Sequence, residues 1–374
     1  MKLYRAGVIA GLIAGAVVLA ACSSSKSSNT ATSGATTGAT PASTGAPTCS
    51  SGKLNAQGST AQTNAINAWI RAYQTACPGA TINYNPTGSG AGVTGFIANQ
   101  NDFVGSDSAL SPSKGEYAKA QTRCGSAPMD LPMVVGPIAI AYKLAGVDKL
   151  ILNGSVTAQI FLGKITKWND SAIAALNPGV TLPATTISVI FRSDSSGTTQ
   201  NFENYLKATA PAVFTSTPDK DSSKAGFAGQ GKAKSQGVSA AIASTEGAIG
   251  YDEFSFAVAS GLQTAQIDNG GGPVTLSKDS ASAAALAAKV ASSGPGDLSL
   301  KINYAEKTPG AYPIILVTYE IVCTKYSSST TGSFVKNFLT YTATGGQAAL
   351  PGLGYAPLPP ALQSQVESSI ATIS

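Results

Sequence analysis

From residue 50 onward the chain repeats one device: a short apolar run, a loop of Gly, Ser and Thr, then a stretch with helical spacing. The loops are Gly58-Ser59-Thr60, Gly88-Ser89-Gly90-Ala91-Gly92, Ser106-Asp107-Ser108 and Ser196-Gly197-Thr198. Strand, turn and helix in alternation restrict the chain to an α/β fold with mostly parallel sheets. The strands before these loops read as Lys53–Asn55, Thr81–Asn85, Asp102–Gly105 and Ile187–Phe191. Helices are expected over Ala61–Ala76, where Ile66, Trp69, Ile70 and Tyr73 share a face and Ser59 and Thr60 are candidate caps, and over Val93–Gln100. Another follows Thr198, carrying Phe202, Tyr205 and Leu206. Leu131–Leu144 is nearly continuously apolar, as a strand buried on both faces would be. Ser155–Gly163 and Asp170–Leu176 read as helices, and Gly247–Tyr251, Asp252–Ala257 and Tyr312–Val322 as further strands.

The N-terminus follows different rules. Lys2 and Arg5 precede an uncharged apolar run from Ala6 to Ala21, short for a spanning helix and right for the core of an export signal. Leu19-Ala20-Ala21-Cys22 ends that run and resembles the bacterial lipobox, in which cleavage precedes a cysteine that is then diacylated. Residues 1–21 are therefore expected to be a signal peptide and Cys22 a lipid anchor, held by two acyl chains. Residues 22–49 are almost entirely Ser, Thr, Gly, Ala and Pro. Such a segment buries too little apolar surface to fold and reads as a disordered tether spanning about 30 Å.

Anion chemistry is suggested by the loops themselves. A Gly/Ser/Thr turn at a helix start presents backbone N–H groups and hydroxyl donors, and the helix dipole adds partial positive charge. One such loop alone is an ordinary cap; four of them with Arg192 beside one make a cradle. Arg192 begins Arg-Ser-Asp-Ser-Ser-Gly-Thr, where the guanidinium can grip two oxygens and Asp194 can hold it in place. The plainer reading of that pair is a surface ion pair. Asp107 is the more informative acid. A carboxylate in an oxyanion site repels the ligand unless the ligand has a proton to give. Phosphate carries one at neutral pH and sulfate does not. The plainer reading of Asp107 is a turn or cap residue.

Catalysis finds no support. The 374 residues include no histidine, which excludes Ser-His-Asp and Cys-His nucleophiles and imidazole metal ligands. Ser111-Pro112-Ser113-Lys114 sits on no convincing helix, and Gly88-Ser89-Gly90-Ala91-Gly92 lacks the Gly-Lys-Ser/Thr of a phosphate loop. We expect no enzyme activity, no cofactor and no metal. The net charge of +5 is spread without a basic run, so nucleic acid is not an expected partner. The site's donors would not titrate near neutral pH. Cys49, Cys77, Cys124 and Cys323 remain after Cys22, an even number in an exported chain, so two disulfides are expected among three possible pairings.

From about Leu54 to the C-terminus, ordered blocks resemble the PstS family, the actinobacterial type of phosphate-binding lipoprotein of the bacterial high-affinity phosphate ABC transporter. The blocks are Gly58-Ser59-Thr60, GSGAGV at 88–93, Gly105-Ser106-Asp107, IFLGKITKWND at 160–170, Leu176-Asn177-Pro178-Gly179, RSDSSGT at 192–198, Gly247-Ala248-Ile249-Gly250-Tyr251 and Tyr355-Ala356-Pro357-Leu358-Pro359. The resemblance implies a two-lobed periplasmic-binding-protein fold of type II. One lobe would be residues 50–135 plus 310–374 and the other 136–309, with hinges near Val135–Pro137 and Pro309–Pro313. It implies inorganic phosphate as ligand, held by Ser59, Thr60, Ala61, Ser89, Asp107, Arg192, Asp194, Ser196, Gly197 and Thr198. Ala61 stands where the family often has Phe, and Gly90 replaces a second serine. The implied fold also places the four cysteines at the end of the first lobe away from the cleft, favouring Cys49–Cys77 and Cys124–Cys323. The implied partners are the transporter's membrane-spanning permease subunits with their ATPase, met by a monomer anchored outside the cell membrane. Receptors for another oxyanion, and a phosphate sensor not coupled to transport, are the competing readings.

Overall fold

The computed structural model describes residues 46–292 and 294–374; the expected signal peptide, Cys22 and the tether up to residue 45 lie outside the described residues. The backbone of the fold is one 15-residue strand, Pro128–Tyr142, in which every residue is buried. Its neighbour Ile315–Cys323 is buried throughout as well. Both read as unbroken apolar runs because both faces are covered by other elements.

These two strands run antiparallel, with Cys323 opposite Pro128 and Ile315 opposite Pro137. At Ile138 the long strand changes partner and pairs antiparallel with Ala248–Glu253 instead. On the first side, Phe103–Ser106 joins Ile315–Cys323 antiparallel, and Gly52–Gly58 and then Ala80–Pro86 add parallel to it. On the second side, Ser188–Arg192 adds parallel to Ala248–Glu253 and Gln230–Lys232 closes the edge. The result is a nine-stranded sheet in which two parallel triplets flank an antiparallel centre. The expectation of mostly parallel sheets holds in the flanks only. The chain crosses the centre twice in opposite directions, which forces those strands to pair antiparallel.

Two hydrophobic cores lie on this sheet. The first gathers Trp69, Tyr73, Phe96, Phe103, Phe334 and Phe338, and the second Phe161, Trp168, Phe202, Tyr205 and Tyr251. Each buried tryptophan has its indole N–H satisfied, Trp69 by the Gly346 carbonyl at 2.8 Å and Trp168 by that of Gly247 at 3.0 Å. The cores meet along the long strand, with Val135 in the first and Ile138 in the second. Ala281, Ala284 and Ala285 of the helix Lys278–Ala285 pack in the first core. The disulfides are Cys49–Cys77 and Cys124–Cys323. The second joins residues 199 apart in sequence and fastens the returning strand to the helix Glu116–Cys124.

Several local expectations shift. The helix expected from Val93 begins at Ser89, inside the glycine-rich loop. Its glycines are there for close approach: a Cβ on Gly92 would lie 2.6 Å from the Gly58 Cα. The helix expected from Ala61 begins at Thr63, and neither Ser59 nor Thr60 caps it with a side chain. Asp252–Ala257, expected as a strand, is mostly the helix Phe254–Ala259, because the Glu253 carboxylate accepts the Ser255 N–H and starts a turn there.

Candidate functional site

The carboxyl ends of the parallel strands converge at the middle of the sheet, where α/β folds place their ligands. The strand Gly52–Gly58 delivers Ser59, Thr60 and Ala61. Gly58 has φ +141° and a Cβ there would meet the Gly105 carbonyl oxygen at 2.0 Å, so only glycine lets these two strand ends touch. Ser89 opens the helix after the strand Ala80–Pro86, and Asp107 follows Phe103–Ser106. From the second side, Arg192 is the last residue of Ser188–Arg192, and Ser196 caps the helix Gly197–Thr209 by accepting the Thr199 N–H at 3.2 Å.

Asp107 is the hub of the first side, 3% exposed. Its Oδ1 accepts from the hydroxyls of Ser59 at 2.5 Å and Thr318 at 2.8 Å. Its Oδ2 accepts from Thr198 at 3.1 Å and Ser89 at 3.4 Å. All four donors are neutral. Burial pushes the Asp107 carboxyl up, against the pull of the Ser59, Thr318 and Thr198 hydroxyls and of Arg192. Ser59 gives its single proton to Asp107 and accepts the Ala61 N–H at 3.1 Å. Its contribution therefore runs through Asp107.

Arg192 is the hub of the second side and is 1% exposed. Asp194 takes it bidentately, Nε to Oδ1 at 2.8 Å and Nη2 to Oδ2 at 2.5 Å. Burial works against the Arg192 charge, but Asp194 outweighs it and holds the guanidinium charged. The same pair draws the Asp194 carboxyl down against its burial. The third nitrogen, Nη1, faces Ser235 Oγ at 3.5 Å. Asp252 lies behind this group, fully buried, with its Oδ2 accepting from Ser239 at 2.5 Å. Burial pushes the Asp252 carboxyl up to about 7 despite Ser239 and Arg192, and that of Glu320 to about 8. Burial thus brings two acids beside these donors toward neutral pH.

The two sides touch directly. Thr198 reaches Asp107, the Asn201 side-chain N–H donates to the Asp107 carbonyl at 2.6 Å, and the Gly90 N–H donates to the Ser195 carbonyl at 3.0 Å. A Cβ on Gly197 would lie 2.7 Å from the Asp107 Cβ, so Gly197 is what lets the second side come this close. The structure thus gathers Ser59, Thr60, Ala61, Ser89, Asp107, Arg192, Asp194, Ser196, Gly197 and Thr198 around one junction. Sequence reasoning missed Thr318, Asn201, Asp252 and Ser235. Thr318 had a signal, a hydroxyl inside an otherwise apolar buried strand; Ser235 had none. Among the described residues no cluster of His, Cys, Asp and Glu could hold a metal ion.

The model of the PBP superfamily domain matches residues 30–345. The chain is 45% identical over 328 residues to the phosphate-binding protein PstS2 of Mycobacterium bovis, covering 86% of this chain and 87% of that one. It is 46% identical over 325 residues to the phosphate-binding protein PstS 3 of Mycobacterium leprae, covering 86% and 87%. The phosphate-binding protein PstS of Xylella fastidiosa is 32% identical over 325 residues, with 86% of each chain covered. A high affinity periplasmic phosphate-binding protein solved with phosphate (PfluDING) superposes with a TM-score of 0.68 at 23% identity, over 85% of this chain and 93% of that one. This likeness shows the two-lobed α/β fold. The chain belongs to the PBP superfamily and, within it, to the family of the PstS phosphate-binding proteins.

Proposed function

We propose that this chain binds inorganic phosphate with high affinity between its lobes and hands it to an ABC transporter for import. The observation that carries this is Asp107: a buried carboxylate at the centre of a donor-rich junction, opposite a buried arginine. A carboxylate there favours an oxyanion that brings its own proton. From the first lobe, Thr60 and the Ser89 backbone N–H at its helix start would hold the anion, with the Ala61 N–H shared between it and Ser59, which keeps Asp107 in position. Arg192, oriented by Asp194, and Ser196, Gly197 and Thr198 would hold it from the second. No bond is made or broken in this function.

The lobes are proposed as residues 50–135 plus 310–374 and residues 136–309, with the helix Lys278–Ala285 docked on the first. The partner change at Ile138 and the return at Ile315 support hinges beside Val135–Pro137 and Pro309–Pro313. A ligand touching both lobes favours the closed state over the open one. The closed lobe pair, a monomer, would then dock on the permease subunits that work with the ATPase. Cys22 would anchor the chain outside the cell membrane; no helix among the described residues is long and apolar enough to cross one. The reading is tested by calorimetry on protein unfolded and refolded to strip carried-over ligand. Phosphate and arsenate should bind and sulfate should not; no heat with phosphate would end the proposal.

A further inference from the structure

The helix Lys234–Ser244 enters none of the binding loops, yet its second residue sits at their junction. Ser235 is completely buried. Its backbone N–H donates to Thr60 Oγ1 at 3.2 Å, and the two hydroxyls are 3.0 Å apart. Arg192 Nη1 lies 3.5 Å from Ser235 Oγ. Thr60 is 175 residues away in sequence and belongs to the other side of the cleft. On the phosphate reading above, we propose that Ser235 latches the two lobes over the bound anion and aims the Thr60 hydroxyl at it.

The chemistry is that of hydrogen-bond capacity. A hydroxyl has one proton to give and two lone pairs to offer. The Ser235 N–H fills one lone pair of Thr60 Oγ1 and, with the Ser235 hydroxyl donating across the 3.0 Å contact, the other is filled too, which leaves the Thr60 proton for the anion. A donor already oriented toward its ligand loses less entropy on binding. The Ser235 hydroxyl in turn faces Arg192 Nη1, the guanidinium nitrogen that Asp194 does not take. Ser235 therefore contacts one anchoring residue from each lobe.

The backbone at this point is set up for the task. Lys234 has φ +65°, in the left-handed region that a lysine adopts only at a cost. That turn directs two successive amides into the site. The Lys234 N–H donates to Asp194 Oδ1 at 2.8 Å, and the Ser235 N–H donates to Thr60. One of them steadies the carboxylate that orients Arg192, and the other steadies Thr60.

Contacts between Thr60 and Ser235 span the cleft, so they form on closure and break on opening. Their loss should speed release and leave capture nearly unchanged. The test is stopped-flow phosphate binding by the full mature chain, comparing wild type, Ser235→Ala, Thr60→Ala and the double variant. Ser235→Ala should raise the dissociation rate about fivefold and leave the association rate within about twofold. The double variant should lose less than the two single losses combined, because one bond cannot be lost twice. Ser235→Gly, which also keeps the backbone N–H, serves if the alanine variant does not fold. Phosphate binding by wild type with an unchanged dissociation rate in Ser235→Ala, or additive losses in the double variant, overturns the latch alone. No binding by wild type overturns the phosphate reading and the latch with it.

Discussion

The two sides of the cleft solve opposite electrostatic problems. The first buries an anion, Asp107, and surrounds it with the neutral hydroxyls of Ser59, Ser89, Thr198 and Thr318. The second buries a cation, Arg192, and neutralises it with a charged partner, Asp194. A buried charge paired with an opposite charge is fixed in its ionisation state. A buried carboxylate held by neutral hydroxyls can still accept a hydrogen bond from a ligand that carries a proton. On the proposed reading, attraction and discrimination are separated in space: Arg192 would draw oxyanions in general, and Asp107 would select among them by their protons.

The largest blow to this comparison is removal of the cation. Arg192→Ala should lower phosphate affinity at least a hundredfold, because it deletes a charged donor and leaves Asp194 half-buried without its partner (~3 kcal/mol). Calorimetry reads it, and affinity near wild type would remove Arg192 from the site. A smaller effect sharpens the other side. Thr318→Val keeps the strand shape and deletes one donor to Asp107, which should cost about tenfold in phosphate affinity (~1.4 kcal/mol) and raise the Asp107 titration further. Unchanged affinity would make Thr318 a bystander.

A separate effect concerns stability and leaves the affinity comparison aside. Burial pushes Asp252 up to about 7 in the folded protein, against about 4 for an unfolded aspartate. The folded state thus holds this proton more tightly than the unfolded chain. Its stabilising contribution is present below about pH 4 and is lost as pH rises to about 7. In Asp252→Asn that loss disappears. The Tm of the variant relative to wild type should therefore rise between about pH 5 and about pH 8. A constant difference across that range would mean Asp252 titrates normally.

Much of this was written in the chain. The strand-loop-helix device located Ser59, Ser89, Asp107 and Ser196 at strand ends because glycine and small polar residues are what tight turns at helix starts require. The buried run around Leu131–Leu144 announced the central strand for the same kind of reason, since continuous apolarity needs cover on both faces. The antiparallel centre was hidden, because strand direction depends on how often the chain crosses between cores and no local pattern records that. Helix starts were misplaced where side chains that look like caps serve the site instead: Ser59 turns to Asp107, leaving the following helix to begin at Thr63. Ser235 was invisible, because its role comes from a left-handed Lys234 and a contact 175 residues distant.

If Asp107 reads the ligand's proton, its replacement should blunt the choice between phosphate and sulfate. The most direct measurement is the ratio of phosphate to sulfate affinity in wild type and in Asp107→Asn, by calorimetry on stripped protein near neutral pH. Wild type should bind phosphate and reject sulfate, and in Asp107→Asn the two affinities should draw together as phosphate weakens and sulfate gains a site without the repelling charge. Full discrimination surviving in Asp107→Asn would mean that Asp107 does not read the ligand's proton.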